Sequence, residues 1–387
     1  MKQFCLLVFF TLSLSYAQQT LELDAPAVWL EPFDEGVAAL LADGTLTYIT
    51  DDGIFNISKE WLGNSLVECG GSISGNYEGR LAKPESDLFG PELAPNHRPA
   101  CINNGNITAL SKDTHSLLLL NSNFTEIARA PVNALPDAQI VLADLTGNGT
   151  EEIILLTDPT DRYAHGVLGD SLEAASVSVF DAETLGAIAK YTLPEPFVFE
   201  QRRVTPFDIS GTTGLLATRS SDATGAGVIL LSYENGDLKL SAEAQPIGTG
   251  NRWLNLFASR DGRAYAIRTP HIGGPLQRYT LNGDSLEIET FQLGVTNHTL
   301  GSRNLNLGVM LPDVKSDRES DVDHLVIPSS DLNDLKHIRC NLTVCEVVDE
   351  FRLEGRLSSN LTFINEAGDI KVVAAAGTKL IFWTLEP

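Results

Sequence analysis

One short segment carries the residue types for hard-cation chemistry. From Asp144 to Glu152 the chain reads Asp-Leu-Thr-Gly-Asn-Gly-Thr-Glu-Glu. Oxygen-bearing side chains recur at alternate positions, Asp144, Thr146 and Asn148, and are followed by the carbonyl of Thr150 and the carboxylate of Glu152. Calcium wants several oxygen ligands, and alternate positions in a tight turn can aim theirs at one centre. Gly147 and Gly149 permit the curvature such a turn needs. One structural calcium is expected here. The competing reading is a polar turn whose Asp and Asn cap the backbone.

A second set of residues suits anion or ring recognition. Arg98, Arg202, Arg203, Arg252, Trp253, His298, Arg303 and Arg356 stand shortly before segments read below as innermost strands. Asp158, Arg162, Tyr163, His165, Asp222 and His271 follow the strands after them. Guanidinium groups gathered at one mouth would recognise carboxylate or phosphate. Alternatively, each pairs with a neighbouring Asp or Glu and staples the fold. Trp253 either stacks on a ligand ring or packs at a rim. His165, His271 and His298 would make a metal site with Asp158 if the fold gathers them, the alternative being isolated surface histidines. No Gly-x-Ser-x-Gly elbow, His-Glu-x-x-His helix or phosphate-cradling loop occurs, so no catalytic residue is assigned.

These residues need a scaffold, and the sequence supplies a degenerate repeat. The segment from Ala143 to Leu156 reads as a strand, a Gly-rich turn and a buried strand of Ile and Leu. Weaker copies begin at Leu41, Ile102, Phe207, Phe257, Leu311 and Ile364. Their turns fall near residues 42, 103, 144, 208, 258, 313 and 365, spacings of about 40 to 65 residues, as for a four-stranded propeller blade. Asn235-Gly236 and Asn282-Gly283 are hairpin signals at matching places. The expected fold is all-β, a single β-propeller of seven four-stranded blades over residues 18–387, with six or eight blades as alternatives. The tail offers three strands for the last blade, and TLELDAP near residue 20 is expected to supply the fourth and hide an edge. The Gly/Pro-rich stretch from Gly70 to Pro99 reads as the weakest blade or a long loop.

With the repeat in place, the loop at Asp144 resembles the FG-GAP/VCBS-type repeat of integrin-α-like propellers. Asp144, Asn148, Gly149 and Glu152 match its pattern, while Thr146 departs from the usual Asp or Asn. GTGNRW, TPHIGGPLQRY and GVTNHTLG are similar to segments of secreted bacterial VCBS-repeat proteins of unassigned activity. The resemblance implies a fold and an export route, not a reaction.

The first residues point the same way. Lys2, an apolar run from Phe4 to Leu14 and Ser15-Tyr16-Ala17 form a signal-peptide pattern over 1–17, so a secreted or periplasmic protein is expected. No later segment is apolar enough to span a bilayer. The remaining cysteines, Cys69, Cys101, Cys340 and Cys345, are even in number and read as disulfides. Cys340 with Cys345 across a short turn is the simplest pairing and leaves Cys69 with Cys101. Seven Asn-x-Ser/Thr sequons occur, among them Asn297 and Asn360. A net charge of -24 disfavours nucleic acid and anionic membranes. The function expected is an exported binding or interaction module whose partner is an extracellular protein, a carbohydrate or a small anion. The alternatives are a hydrolase or lyase using the Arg/His face, and an assembly scaffold.

Overall fold

The computed structural model describes residues 19–385 apart from 34–35, 51–52, 59–60, 62–65, 85–87, 313–320 and 367–368. The signal-peptide segment therefore lies outside the described residues, as does much of the turn expected near 313. Its regular secondary structure is strand throughout, apart from one three-residue 3-10 turn at Pro270–Ile272.

Strand pairing sorts into eight antiparallel four-strand units, each a simple meander. We number them as blades 1 (27–58), 2 (67–92), 3 (100–131), 4 (141–192), 5 (205–243), 6 (254–291), 7 (309–352) and 8 (362–384 with 19–22). Blades 4, 5 and 6 merge into one sheet through small links. Val198–Phe199 pairs with strands of blades 4 and 5, and Glu243 pairs in parallel with Ser285 of blade 6. The expectation of seven blades is corrected to eight. The extra unit is blade 2, built on the Gly70-Gly71 turn between Val67–Cys69 and Ser72–Tyr77. Its strands are short and Gly-rich, so no apolar run announced them.

Within a blade, the second strand is the most apolar because neighbouring blades cover both its faces. Gly36–Leu41, Ile107–Leu110, Asp323–Pro328 and Asp369–Ala376 are buried nearly throughout. Outermost strands alternate instead: Glu126–Pro131 and Asp237–Glu243 show one face to solvent. The buried clusters run from blade to blade without a break. One cluster holds Trp29 and Trp61, another Leu81 and Leu118, and a third Leu119, Ile153, Leu155 and Leu215. Others hold Leu230 with Leu254, Ile267 with Leu325, Leu335 with Val372, and Val373 with Leu30. The ring is closed.

Closure uses the N-terminal strand as expected. Gln19–Glu22 pairs with Lys379–Phe382, so the last blade is completed by the first residues described. Asn360 reinforces the junction: its side chain accepts from Leu30 N at 2.7 Å and donates to Leu30 O at 2.9 Å. Asn297 and Asn255 exchange the same kind of bond at 3.1 Å each way. Both Asn297 and Asn360 are buried, so these two sequons serve as pins between blades.

Both expected disulfides are present, with Cα–Cα distances of 5.3 Å for Cys69–Cys101 and 4.0 Å for Cys340–Cys345. The first ties the inner strands of blades 2 and 3, and the second joins cross-strand partners in a hairpin. Two disulfides fit an oxidising, extracellular or periplasmic setting. Among the described residues no helix is long and apolar enough to cross a membrane. Chain entropy across a separation of 32 residues makes the Cys69–Cys101 bond worth about 3–4 kcal/mol. Replacing both cysteines by Ala is expected to lower the denaturation free energy by that amount, and an unchanged urea midpoint would refute it.

Candidate functional site

The meander geometry puts two loop families at one end of the ring. Loops leading into the innermost strands share a face with the loops joining second to third strands. The turns joining first to second strands, including 144–151, lie at the other end. The grouping expected from the sequence is therefore real, and its consequence is a plug. Arg202, ahead of blade 5, is fully buried and spans the ring. Its guanidinium bonds the Asp137 carboxylate at 3.1 Å, the Asp137 carbonyl at 3.0 Å, Asn96 O at 2.8 Å and Arg303 O. Arg303, ahead of blade 7, meets Asp137 at 3.2 Å and Asp170 at 2.5 Å. Four blades thus converge on one buried ion network. Arg202 and Asp137 there have left water and persist because they are paired and hydrogen-bonded, while Arg303 and Asp170 stay partly exposed at its edge. Arg202 and Arg303 follow the stapling alternative rather than forming an open mouth.

Beside the plug lies a second polar group. Trp253 is buried, donates its indole N–H to Glu200 O at 2.8 Å, and stacks on His271 with ring planes 9° apart. His298 Nε2 is 2.7 Å from Ser302 O, and a carbonyl only accepts, so that nitrogen carries the proton. His298 Nδ1 is then an acceptor, and His271 Nε2, 2.7 Å away, must be the donor. His271 Nδ1 then carries the lone pair. His165 Nδ1 bonds the buried Glu200 carboxylate at 2.5 Å, and Tyr163 OH accepts from Asn251 N at 3.1 Å.

Burial dominates the electrostatics here. It holds the His298 imidazole down at about 4, aided by His271 and Arg202. It pushes the Glu173 carboxyl up to about 10, with Glu200, Asp170 and Asp137 adding repulsion. One oxygen of Glu173 and one of Glu200 are buried without a hydrogen-bond partner. The metal grouping of His165, His271 and His298 with Asp158 does not form. Asp158 instead pairs with Lys190 at 2.6 Å and Ser176 at 2.7 Å. Among the described residues no group of three or more His, Cys, Asp or Glu could hold a metal ion.

Below the plug the innermost strands line an open axial cavity of about 630 Å³. Trp29, Ile140, Val204, Phe257, Met310 and Leu361 contribute to its wall, but its accessible surface is more polar than apolar. Three arginines reach it: Arg98, Arg203 and Arg260. Arg98 holds both oxygens of Glu31 at 2.6 Å and lies over the Trp29 ring at 5.5 Å. Arg260 donates to Leu311 O at 2.5 Å. Arg203 has only the neutral Gln139 Oε1, at 3.3 Å. Burial and its neighbours Arg98 and Arg202 bring the Arg203 guanidinium down to about 10.

Of the residues expected at a ligand face, Arg98 and Arg203 line this cavity. Trp253, His271, His298 and Arg303 belong to the rim and plug. Arg252 and Arg356 are exposed and join neither group. Sequence reasoning missed Arg260, Asn306 and Glu173. Arg260 ends an innermost strand, Asn306 lies just ahead of one, and Glu173 begins a third strand, positions that carry no motif.

The loop at Asp144 folds as a self-capped turn, with Gly147 and Gly149 at φ 72° and 85°. Asp144 accepts from Asn148 N at 3.0 Å and Gly149 N at 2.9 Å. Glu152, buried, accepts from Leu145 N at 2.7 Å, Thr146 N at 3.2 Å and the Thr146 hydroxyl at 2.6 Å. Asn148 turns its amide nitrogen to Glu152 at 3.4 Å, and its oxygen accepts from Thr150 N at 2.7 Å. The oxygen set expected for calcium is therefore partly committed to hydrogen bonds within the loop.

No family model matches the chain, and no curated protein matches it. Solved structures do. BamB from Moraxella catarrhalis aligns over 95% of this chain and 98% of its own, with a TM-score of 0.56 at 11% identity. The quinohemoprotein alcohol dehydrogenase ADHIIG from Pseudomonas putida HK5 gives a TM-score of 0.56 at 10% identity, over 95% of this chain and 76% of that one. Sqt1 of Saccharomyces cerevisiae gives 0.53 at 10% identity, over 97% and 100%. At such identities the likeness shows the β-propeller fold alone.

Proposed function

We propose, from a β-propeller fold with a plugged axis, that this protein is an exported binding module holding a small organic ligand in its axial cavity. One observation carries the reading: an open space of about 630 Å³ at the ring axis, with a mixed polar and apolar wall, that three arginines reach. Such a space is of the size that small-molecule sites have. The test is thermal melting against a panel of small organic acids, amides and sugars. A ligand bound only by the folded state at a hundred times its Kd adds about 2.7 kcal/mol. Ala258→Trp, which fills the cavity from an inner strand, is expected to abolish that gain. A gain that survives in the variant places the ligand elsewhere.

Calcium at the Asp144 loop belongs to this proposal as a weak structural site. An ion would have to draw Thr146 and Asn148 away from Glu152 while keeping Asp144 and the Thr150 carbonyl. The expected result is a small rise in melting midpoint in millimolar calcium relative to chelator, absent in Asp144→Ala. Identical wild-type midpoints in the two buffers would leave a plain turn.

A second reading, an enzyme on the Arg/His face, has one observation in its favour. His165 is held by Glu200 through Nδ1, which leaves Nε2 as a base toward solvent. Ester hydrolysis or elimination by purified protein, lost in His165→Gln with melting unchanged, would support it.

A further inference from the structure

We infer that the cavity's ligand is a small, oxygen-rich organic anion of at least two negative charges, bridging Arg98 and Arg203; this rests on the cavity being the binding site.

The charge of the wall leads there. The whole chain carries 51 acidic residues against 27 lysines and arginines. The cavity reverses that ratio: among the described residues, those with charge in its lining are Arg98, Arg203, Arg260 and Glu31. An open cleft lined mainly by one sign of charge concentrates ions of the other sign. In so acidic a molecule, the axis is where a small anion would be drawn in. Arg202 and Arg303 hold the plug, so Arg98 and Arg203 are not needed for it.

The hydrogen-bonding groups supply a second, independent mark. Arg203 is half-buried, and among the described residues Gln139 Oε1, at 3.3 Å, is its one hydrogen-bond partner. Its other guanidinium N–H groups remain for a ligand. The Arg98 side chain is 28% exposed. It spends Nε on Leu66 O and one terminal nitrogen on Glu31, which leaves Nη1. Thr205 and Thr362 line the same space half-buried, with hydroxyls that bond no described residue. Acceptors are scarcer. Both oxygens of Glu31 are held by Arg98, and the Asn360 amide is fixed on Leu30. Side-chain donors therefore prevail, which selects oxyanions over neutral polyols. Arg98 leads into blade 3 and Arg203 into blade 5, on either side of the segment leading into blade 4. Two anionic groups on one ligand would each meet a guanidinium, and further oxygens would meet the threonines. Carboxylate and phosphoryl groups both match a guanidinium, so either could carry the charge.

The experiment titrates tartrate and glycerol 3-phosphate calorimetrically into the full protein, with neutral tartramide and glycerol and the monoanion lactate as controls. At least one dianion is expected to bind, about 10- to 100-fold more tightly than its neutral counterpart and than lactate, the scale of charged hydrogen bonds. Which of the two binds tells carboxylate from phosphoryl. Added salt should weaken that binding, because the guanidinium groups are partly exposed. Arg203→Gln is expected to lower the dianion's affinity about tenfold and to leave the neutral compound's unchanged. Equal affinity for a dianion and its neutral counterpart, or for tartrate and lactate, overturns the assignment and leaves the cavity reading standing. So does binding of a neutral sugar or amide alone, when Ala258→Trp abolishes it. Dianion binding that survives in Ala258→Trp, or no binding of any compound to wild type, takes the cavity reading down as well. Should Arg203→Gln fail to fold, the charge comparison on wild-type protein still decides the question.

Discussion

Lowering the pH from 7 to 5 is expected to cost the fold about 3 kcal/mol, despite a net charge of -24 that acidification should relax. Three imidazoles are responsible. Burial holds His97, His298 and His337 down at about 4, with Arg202 beside the first two and His324 beside the third adding to it. All three are buried and neutral in the folded chain. In the unfolded chain a histidine titrates near 6.5. Between those values the unfolded state binds more protons, so stability is full above about 6.5 and is lost as the pH falls toward 4. At 1.36 kcal/mol per unit, each histidine forfeits roughly 2 kcal/mol by pH 5. Glu173 works in the opposite direction and returns about half of that total. Urea unfolding at pH 7, 6 and 5 measures the slope. His97→Gln should roughly halve it, because glutamine does not titrate, and His97 Nε2 has no partner to lose. A fold equally stable at pH 5 and pH 7 would show that these imidazoles are solvated.

How much of this could be read from residues alone differs between scaffold and site. The Ile and Leu runs around Ile153 and Leu325 announced buried strands because both faces of a second strand are covered. Blade 2 escaped because Ser72–Tyr77 reads Ser-Ile-Ser-Gly-Asn-Tyr, with Ser74 and Asn76 buried where a hydrophobic run would be expected. Spacing could not expose the omission. A similar gap between the turns of blades 4 and 5 holds a single blade, its second and third strands being nine residues each. The disulfides were legible because four cysteines leave few pairings and one pair sits across a hairpin. The arginines were legible as a recurrence, but not their division of labour. Arg202 and Arg203 are adjacent, so their side chains diverge, one into the plug and one into the cavity. No composition or period encodes which. Glu173 was invisible for a related reason: a strand-edge glutamate reads as solvent-facing until the loops ahead of blades 4 and 5 close over it.

That buried carboxyl supports the second large effect. Glu173→Gln is expected to stabilise the protein at neutral pH by about 1–3 kcal/mol, and the gain should grow as the pH rises. Burial first, then Glu200, Asp170 and Asp137, push the Glu173 carboxyl up to about 10, so it stays protonated in the fold at pH 7. In the unfolded chain it ionises near 4.3. The folded state therefore binds the extra proton across this range, and its stability falls as pH rises from about 4.5 toward 10 at up to 1.36 kcal/mol per unit. Glutamine keeps the shape and has no proton to lose, so it removes the whole slope. Against that gain stands an amide N–H₂ placed where an oxygen already lacks a partner, a cost of about 1–3 kcal/mol. The absolute gain is therefore modest, but the difference between variant and wild type should widen by more than 1 kcal/mol for each pH unit between 6 and 8. Glu200→Gln is not equivalent, since Glu200 holds His165 and its loss should unseat that ring. Guanidinium denaturation of the Glu173→Gln variant and wild type at pH 6, 7 and 8 decides it. A constant difference across the three would mean that Glu173 is ionised in the fold and balanced by Arg202 or Arg303.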